Sequence, residues 1–423
     1  MSFEFTPHKL VYGGDALGHH EGRAVMVPRA LPGERLLVEP VRTAKGVVHA
    51  RPLRILTAAG ARVDAPCPYF GICGGCHYQH FSPENQAAAK VEILRETLRR
   101  IGKIHWDAEI PVHAGNPWNY RNQAQIKVGV QPDGKIALGF FEAESHRLAS
   151  IDACLILSPR LNAILGALRG AEWSGRLAGC REIELFADDR DLHVMMTVRG
   201  SFNSKKGEAL AADCLAQMAG VASVAIDDGG GQRVYGEPTL QYQVGDFKYR
   251  VSPSAFFQAS KFLLPEFVKS VTAGEKGVLA LDLFAGVGLL TLPLARQFDE
   301  VVAVEAHAPA AADLGVNAEV HVLQNVRVAA ETAFDFLRRF ARQGPDLVVV
   351  DPPRAGVGSD TLKFITALEP RRINYASCHP PTLARDLSLL LARGYELKSI
   401  ELFDFFPQTF HIECVAKLAS KKL

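Results

Sequence analysis

Val278-Leu-Ala-Leu-Asp282-Leu-Phe284-Ala-Gly286-Val-Gly288 is followed directly by Leu289-Leu-Thr-Leu-Pro-Leu-Ala295. The first stretch opens as an apolar run, the pattern of a strand buried on both faces. The second begins a helix, and the glycines between them let the backbone approach a ligand closely at that helix's N-terminus. Val301-Val-Ala-Val-Glu305 is the next strand. It ends in an acid roughly twenty residues on, where a carboxylate can hold both hydroxyls of a ribose. Position 291 is Thr where a dinucleotide fingerprint has its last glycine, which argues against NAD and for an adenosylmethionine-type cofactor. From about residue 250 onward strands and helices alternate, the signature of a parallel sheet wound with helices.

Downstream of this loop the chain carries chemistry. Arg372-Ile-Asn-Tyr-Ala-Ser-Cys378-His-Pro-Pro places a thiol at the carboxyl end of a strand, where open α/β sheets bind ligands. Most methyl transfers need no nucleophile from the enzyme, but a pyrimidine C5 is too weak a nucleophile to attack a methyl group unaided. A thiolate added at C6 makes C5 carbanion-like, and a carboxylate must then remove the C5 proton so that the thiolate can leave. Glu413, in Phe406-Pro-Gln-Thr-Phe-His-Ile-Glu413, is that carboxylate. Asp346-Leu-Val-Val-Val-Asp351-Pro-Pro-Arg354 occupies the place of the base-contacting loop of amino-methyltransferases. Arg354 stands where those enzymes carry an aromatic, which weakens that alternative. Asp351 is otherwise a helix cap.

Upstream, Cys67-x5-Cys73-x2-Cys76 crowds three thiols around Gly74 and Gly75. That spacing suits an iron–sulfur cluster or zinc with a distant fourth ligand, for which Cys154 is the best candidate. Cys180, Cys214 and Cys414 read as small core residues. His77, His80, His379 and His411 adjoin motifs and read as structural, with His379 left open as the neighbour of the nucleophile. Residues 1–56 read as short, evenly spaced strands, the pattern of a small closed barrel. Ser82-Pro83 opens a helix with a capping serine and proline at its first position. Its stripe is Ala88, Val91, Leu94, Leu98 and Ile101, with Lys90, Arg95, Arg99 and Arg100 on a solvated face and Gly102 at the end. Strands follow at 123–128 and 193–198, and helices at 161–168 and 208–218.

The bulk numbers are permissive. A chain of 423 residues with 48% hydrophobic and 22% charged content fits two or three globular domains. A net charge of +1 neither supports nor excludes a nucleic-acid partner, although residues 1–60 lean basic with eight Lys/Arg against five Asp/Glu. No apolar run approaches a membrane span, and eight cysteines without a secretory leader argue against a disulfide framework. A cytoplasmic monomer with no membrane partner is expected.

Assembled in this order, the motifs resemble the RNA uracil-C5 methyltransferases, most closely the 23S ribosomal RNA type, over nearly the whole chain. The resemblance implies three domains. Residues 1–60 form a TRAM-like, OB-like β-barrel that binds RNA, signalled by Gly13-Gly-Asp-Ala-Leu-Gly18 and Pro32-Gly-Glu-Arg35. Residues 61–245 form a central α/β domain in which Cys67, Cys73, Cys76 and Cys154 hold a [4Fe-4S] cluster. Residues 246–423 form a class I, Rossmann-like methyltransferase domain, on which the 82–103 helix packs. It further implies S-adenosylmethionine held by Gln258 (in Ser254-Ala-Phe-Phe-Gln258), Phe284, Gly286, Gly288, Glu305 and Asp351. Cys378 is then the nucleophile and Glu413 the base. A flipped-out uridine presents unpaired edges to Gln258 and Asp351, with Phe256 or Phe257 stacked on its ring. The family commonly has Asn at position 289, Asn at 260 and Gln at 77, where this chain has Leu289, Ser260 and His77. These departures touch the RNA target more than the reaction, so a transfer-RNA T-loop uridine stays open beside 23S rRNA.

Overall fold

The computed structural model describes residues 2–130, 135–342 and 344–422. Six N-terminal strands come first: β1 (Phe3–Phe5), β2 (Lys9–Leu10), β3 (Asp15–His20), β4 (Arg23–Pro28), β5 (Arg35–Ala44) and β6 (Val47–Thr57). They form one sheet in the order β1-β5-β6-β4-β3-β2. The ladder's two ends do not pair, but the sheet curls until the Phe5 ring of β1 lies against Gly18 of β3. A Cβ on Gly18 would stand 2.6 Å from that ring. β6 runs through Pro52 as one strand. Pro52 cannot donate to the ladder, and a register shift between Leu37 and Val38 of β5 absorbs it.

Helix α1 (Pro83–Thr97) begins at the expected proline and ends in a π-helical turn, Leu98–Gly102. Ser82 does not cap it through its hydroxyl; the backbone amides of Asn85 and Gln86 bond to its carbonyl instead. The buried face also differs from the expected stripe. Ile101 is exposed, whereas Gln86 and Lys90 are fully buried. Lys90 is therefore no solvated cation, and its Nζ lies 2.6 Å from Asp404 Oδ1.

A short strand, β7 (Val112–Ala114), precedes a second sheet built from β8 (Gln123–Val130), β9 (Ile136–Phe141), β10 (Leu148–Ser150), β11 (Cys180–Ala187), β12 (Val194–Gly200), β13 (Val221–Asp227) and β14 (Gln232–Gly236). Its order is β10-β9-β8-β11-β12-β13-β14, with α2 (Pro159–Leu168) and α3 (Ser204–Gln217) packed on it. A hairpin of β15 (Leu240–Val244) and β16 (Phe247–Val251) leads to α4 (Leu264–Thr272).

The remaining chain alternates: β17 (Gly277–Leu283), α5 (Thr291–Ala295), β18 (Phe298–Val304), α6 (Ala308–Val320), β19 (Val326–Ala329), α7 (Ala333–Arg339), β20 (Leu347–Val350), α8 (Ser359–Ala367), β21 (Arg372–Ser377), α9 (Pro380–Ala392), β22 (Tyr395–Asp404) and β23 (Glu413–Ser420). The sheet order is β19-β18-β17-β20-β21-β23-β22-β7. β17 to β21 run parallel and β23 runs antiparallel between β21 and β22. Strand order reverses between β17 and β20, which opens a crevice at the strands' carboxyl ends. Neither β7 at the sheet's edge nor its origin upstream of the second sheet was legible in a three-residue pattern. No described helix is long and apolar enough to cross a membrane.

Candidate active site

The glycine loop lies at that crevice. Phe284 has φ +68°, a left-handed conformation for a non-glycine residue, and such strain clusters at functional sites. Gly286 also has φ +56°, and a Cβ built on it meets nothing within 4 Å. The loop therefore presents bare backbone to open space. Glu305 is held beside it, accepting hydrogen bonds from the Gly286 amide (2.8 Å) and the His307 amide (2.7 Å). Asp282 is fully buried; one carboxylate oxygen accepts from Thr291 Oγ1 at 2.5 Å and the other has no partner. Burial pushes Asp282 up to about 7. An unpartnered buried acceptor, an oriented carboxylate and an open glycine cradle suit a nucleoside ligand. Gly288 differs from expectation: it does not face the cleft. Its Cβ would collide with Leu292 at 2.8 Å, so it lets the following helix approach.

The same cleft, about 640 Å³, is lined by Gln258, Phe284, Gly286, Glu305, Asp351, Cys378 and Glu413. Sheet register explains how residues so distant in sequence meet. Ser377 of β21 is paired with Cys414 of β23, so Cys378 and Glu413 are the next residues outward on adjacent strands. Asp351 follows β20, the other neighbour of β21. It caps no helix, since α8 begins at Ser359 with Gly358 as its cap.

Burial and neighbouring charge set the state of these three groups. Burial, then the Glu413 and Asp351 carboxylates, push the Cys378 thiol up to about 12, with Arg354 opposing. Burial and the Asp351 charge hold Glu413 well above the usual carboxylate range. Burial raises Asp351 to about 6. The cleft thus disfavours further negative charge. A ligand bearing positive charge would relieve it.

Of the two candidate stacking rings, Phe257 is buried against Tyr242 (centroids 4.7 Å apart) and Phe186, whereas Phe256 is 66% exposed and lines the cleft. His379 is structural: its Nδ1 accepts from the Thr382 amide and caps α9. Leu289 lines the cleft with an apolar side chain, and its carbonyl accepts from Tyr249 Oη at 3.1 Å. Sequence reasoning missed Arg121 and Tyr12, and gave His411 only a structural reading. Arg121 and His411 line both this cleft and the one beside it. Tyr12, from the N-terminal sheet, packs edge-on against His379 and Phe410 at 5.2 and 5.4 Å. Lone residues outside any motif give no signal of such proximity.

The adjoining cleft, about 610 Å³, is lined by Cys67, Cys73, Cys76 and Cys154. Burial raises Cys73 and Cys154 and takes Cys76 to about 12, and the thiols raise one another further. The four thiols line one cleft, and four sulfurs are the donor set an iron–sulfur cluster or zinc takes. All four are free thiols, and among the described residues no group of three or more His, Cys, Asp or Glu stands arranged to hold a metal ion. Cys180, Cys214 and Cys414 are buried, as expected of core thiols.

Residues 231–421 match the family described as tRNA (Uracil-5-)-methyltransferase. The chain is 34% identical to an RNA methyltransferase of Aquifex aeolicus, covering 99% of this chain and 98% of the relative. It is 33% identical to the 23S rRNA (uracil(1939)-C(5))-methyltransferase of Yersinia enterocolitica, covering 97% of this chain and 94% of that one. The crystal structure of the Pyrococcus abyssi tRNA (uracil-54, C5)-methyltransferase, in complex with S-adenosyl-L-homocysteine, superposes with a TM-score of 0.77. It covers 99% of this chain and 100% of that one at 23% identity, a likeness of fold.

Proposed function

The chain belongs to the RNA uracil-C5 methyltransferase family, and from that premise we propose that it forms 5-methyluridine in 23S ribosomal RNA through a covalent adduct between Cys378 and uracil C6. The observation that carries this reading is the register of β21 and β23, which sets thiol and carboxylate side by side at the cleft holding the glycine loop. S-adenosylmethionine supplies an electrophilic methyl on a positively charged sulfur, and that charge favours the anionic forms of Cys378 and Glu413.

The residues divide the work as follows. Gly286 and Glu305 hold the cofactor's nucleoside, with Asp282 and Phe284 walling the same end of the cleft. Gln258 and Asp351 hold the edge of the flipped base, and Phe256 stacks on its ring. The thiol's proton passes to solvent as sulfur adds to C6, and the electrons of the C5–C6 double bond move to C5. C5 then takes the methyl group, and the electron pair of the broken sulfur–methyl bond stays on the cofactor's sulfur. Glu413, as carboxylate, removes the C5 proton, the double bond re-forms, and the C6–S bond breaks with its electron pair returning to Cys378.

Cys67, Cys73, Cys76 and Cys154 are the residues that would hold a [4Fe-4S] cluster. Burial and neighbouring thiols disfavour the thiolates of Cys73, Cys76 and Cys154, and a cationic centre inverts that penalty, which supports this reading. Its contribution would be structural, tying the segment around Cys73 to the loop at Cys154.

The 33% identity to a 23S rRNA enzyme supports the ribosomal target. Nucleoside analysis of 23S rRNA and of transfer RNA from a deletion strain tests it. Loss of 5-methyluridine from 23S rRNA alone is expected. Loss from transfer RNA alone would move the target to the T-loop.

A further inference from the structure

The loop that delivers Glu413 is held from outside. Its last ladder rung pairs Phe403 with Glu413. Between them, residues 405–412 are secured mainly by residues 77–120. The backbone amides of His77 and Tyr78 both donate to the Gln408 carbonyl, at 2.7 and 3.0 Å. Gln86 clasps the same residue twice: its Oε1 accepts from the Gln408 amide at 2.8 Å, and its Nε2 donates to Gln408 Oε1 at 2.9 Å. Lys90 Nζ donates to the Phe406 carbonyl at 3.0 Å, and Tyr120 Oη to the Pro407 carbonyl at 3.0 Å.

The grip is specific to one conformation. Gln408 has φ +67°, a left-handed state that glutamine adopts only when its surroundings enforce it. Gln86 and Gln408 are 0% and 1% exposed, so water cannot replace these bonds. Phe406, His411, Ile412 and Glu413 all line the catalytic cleft. The turn at Gln408 therefore sets the path of the chain that forms one wall of that cleft.

We propose that Gln86 is a positioning residue for Glu413: by fixing the Gln408 turn it aims the base at the C5 proton, so that the elimination half of the reaction depends on the helix that follows the cysteine segment. Gln86 does not line the catalytic cleft. The inference rests on the covalent reading above. A displaced Glu413 leaves Cys378 and the glycine loop in place, so attack and methyl transfer proceed while deprotonation slows. Misplacement on the ångström scale costs up to about 100-fold in rate.

The test uses the full-length protein, unmodified 23S rRNA transcript and methyl-labelled S-adenosylmethionine. Gln86→Met removes both clasping bonds, together with the Nε2 donations to the Phe81 (2.7 Å) and Tyr78 (3.1 Å) carbonyls, at similar volume. Gln86→Glu, which keeps the acceptor for the Gln408 amide, serves if the first variant does not fold. Glu413→Gln is the reference. The expected result is a labelled protein–RNA adduct that accumulates in the Gln86 variants, with release of methylated RNA slowed about tenfold to 100-fold and cofactor affinity unchanged. If Glu413→Gln traps the adduct but the Gln86 variants release product at the parental rate, or lose adduct and product together, the positioning role is overturned. If Glu413→Gln traps nothing, the covalent reading falls and this proposal with it.

Discussion

The Cys378 thiol is pushed up to about 12 by burial and by the carboxylates of Glu413 and Asp351, which lie sixty-two residues apart in sequence and are brought together by folding. Asp351→Asn removes a negative neighbour, so the thiolate is less disfavoured and the thiol should titrate below about 12. Alkylation of Cys378 by iodoacetamide at pH 9 should accordingly be faster in Asp351→Asn than in the parent. An equal or slower rate would mean that Asp351 does not act on the thiol. At the same scale, a Gly-x-Gly spacing does not say which glycine faces the cleft: Gly286 lines it, whereas Gly288 meets Leu292.

Helix α1 is the element where pattern and packing diverge. Its start at Pro83 and its end near Gly102 were legible from turn chemistry. Its buried face was not, because the helix docks on a polar loop rather than on an apolar core alone. Lys90 reads as surface on any hydrophobicity scale; its partner Asp404 lies 314 positions away. Burial lowers the Lys90 pKa while Asp404 opposes that shift. Breaking a buried pair by removing one partner leaves the other charge uncompensated, at a cost of about 3–5 kcal/mol. Lys90→Met should therefore destabilise the protein by about that amount in chemical denaturation, while Lys103→Met, at an exposed position, should change stability little. Equal effects from the two would show that the buried pair contributes nothing.

At the scale of the whole molecule, the alternation beyond residue 250 was legible as a wound parallel sheet because each buried strand is a continuous apolar run. The reach of the N-terminal half into that sheet was not, because β7 has three residues and α1 docks through polar groups. The four cysteines come from two separate stretches, 67–76 and 154, so a shared metal centre would join them. Cys154→Ala should lose iron and sulfide from anaerobically purified protein and lower its melting temperature; Cys180→Ala should keep both metal and colour. Colourless, active protein with stoichiometric zinc would contradict the iron–sulfur assignment.

The central claim is that Cys378 activates uracil and Glu413 releases it. It is tested most directly by incubating Cys378→Ala, Glu413→Gln and the double variant with substrate RNA and methyl-labelled S-adenosylmethionine, then separating protein from RNA under denaturing conditions. Glu413→Gln should carry the label in a covalent protein–RNA band, because addition and methyl transfer still occur and elimination does not. Cys378→Ala and the double variant should show no such band and no methylated RNA. Appreciable methylation by Cys378→Ala would contradict the mechanism.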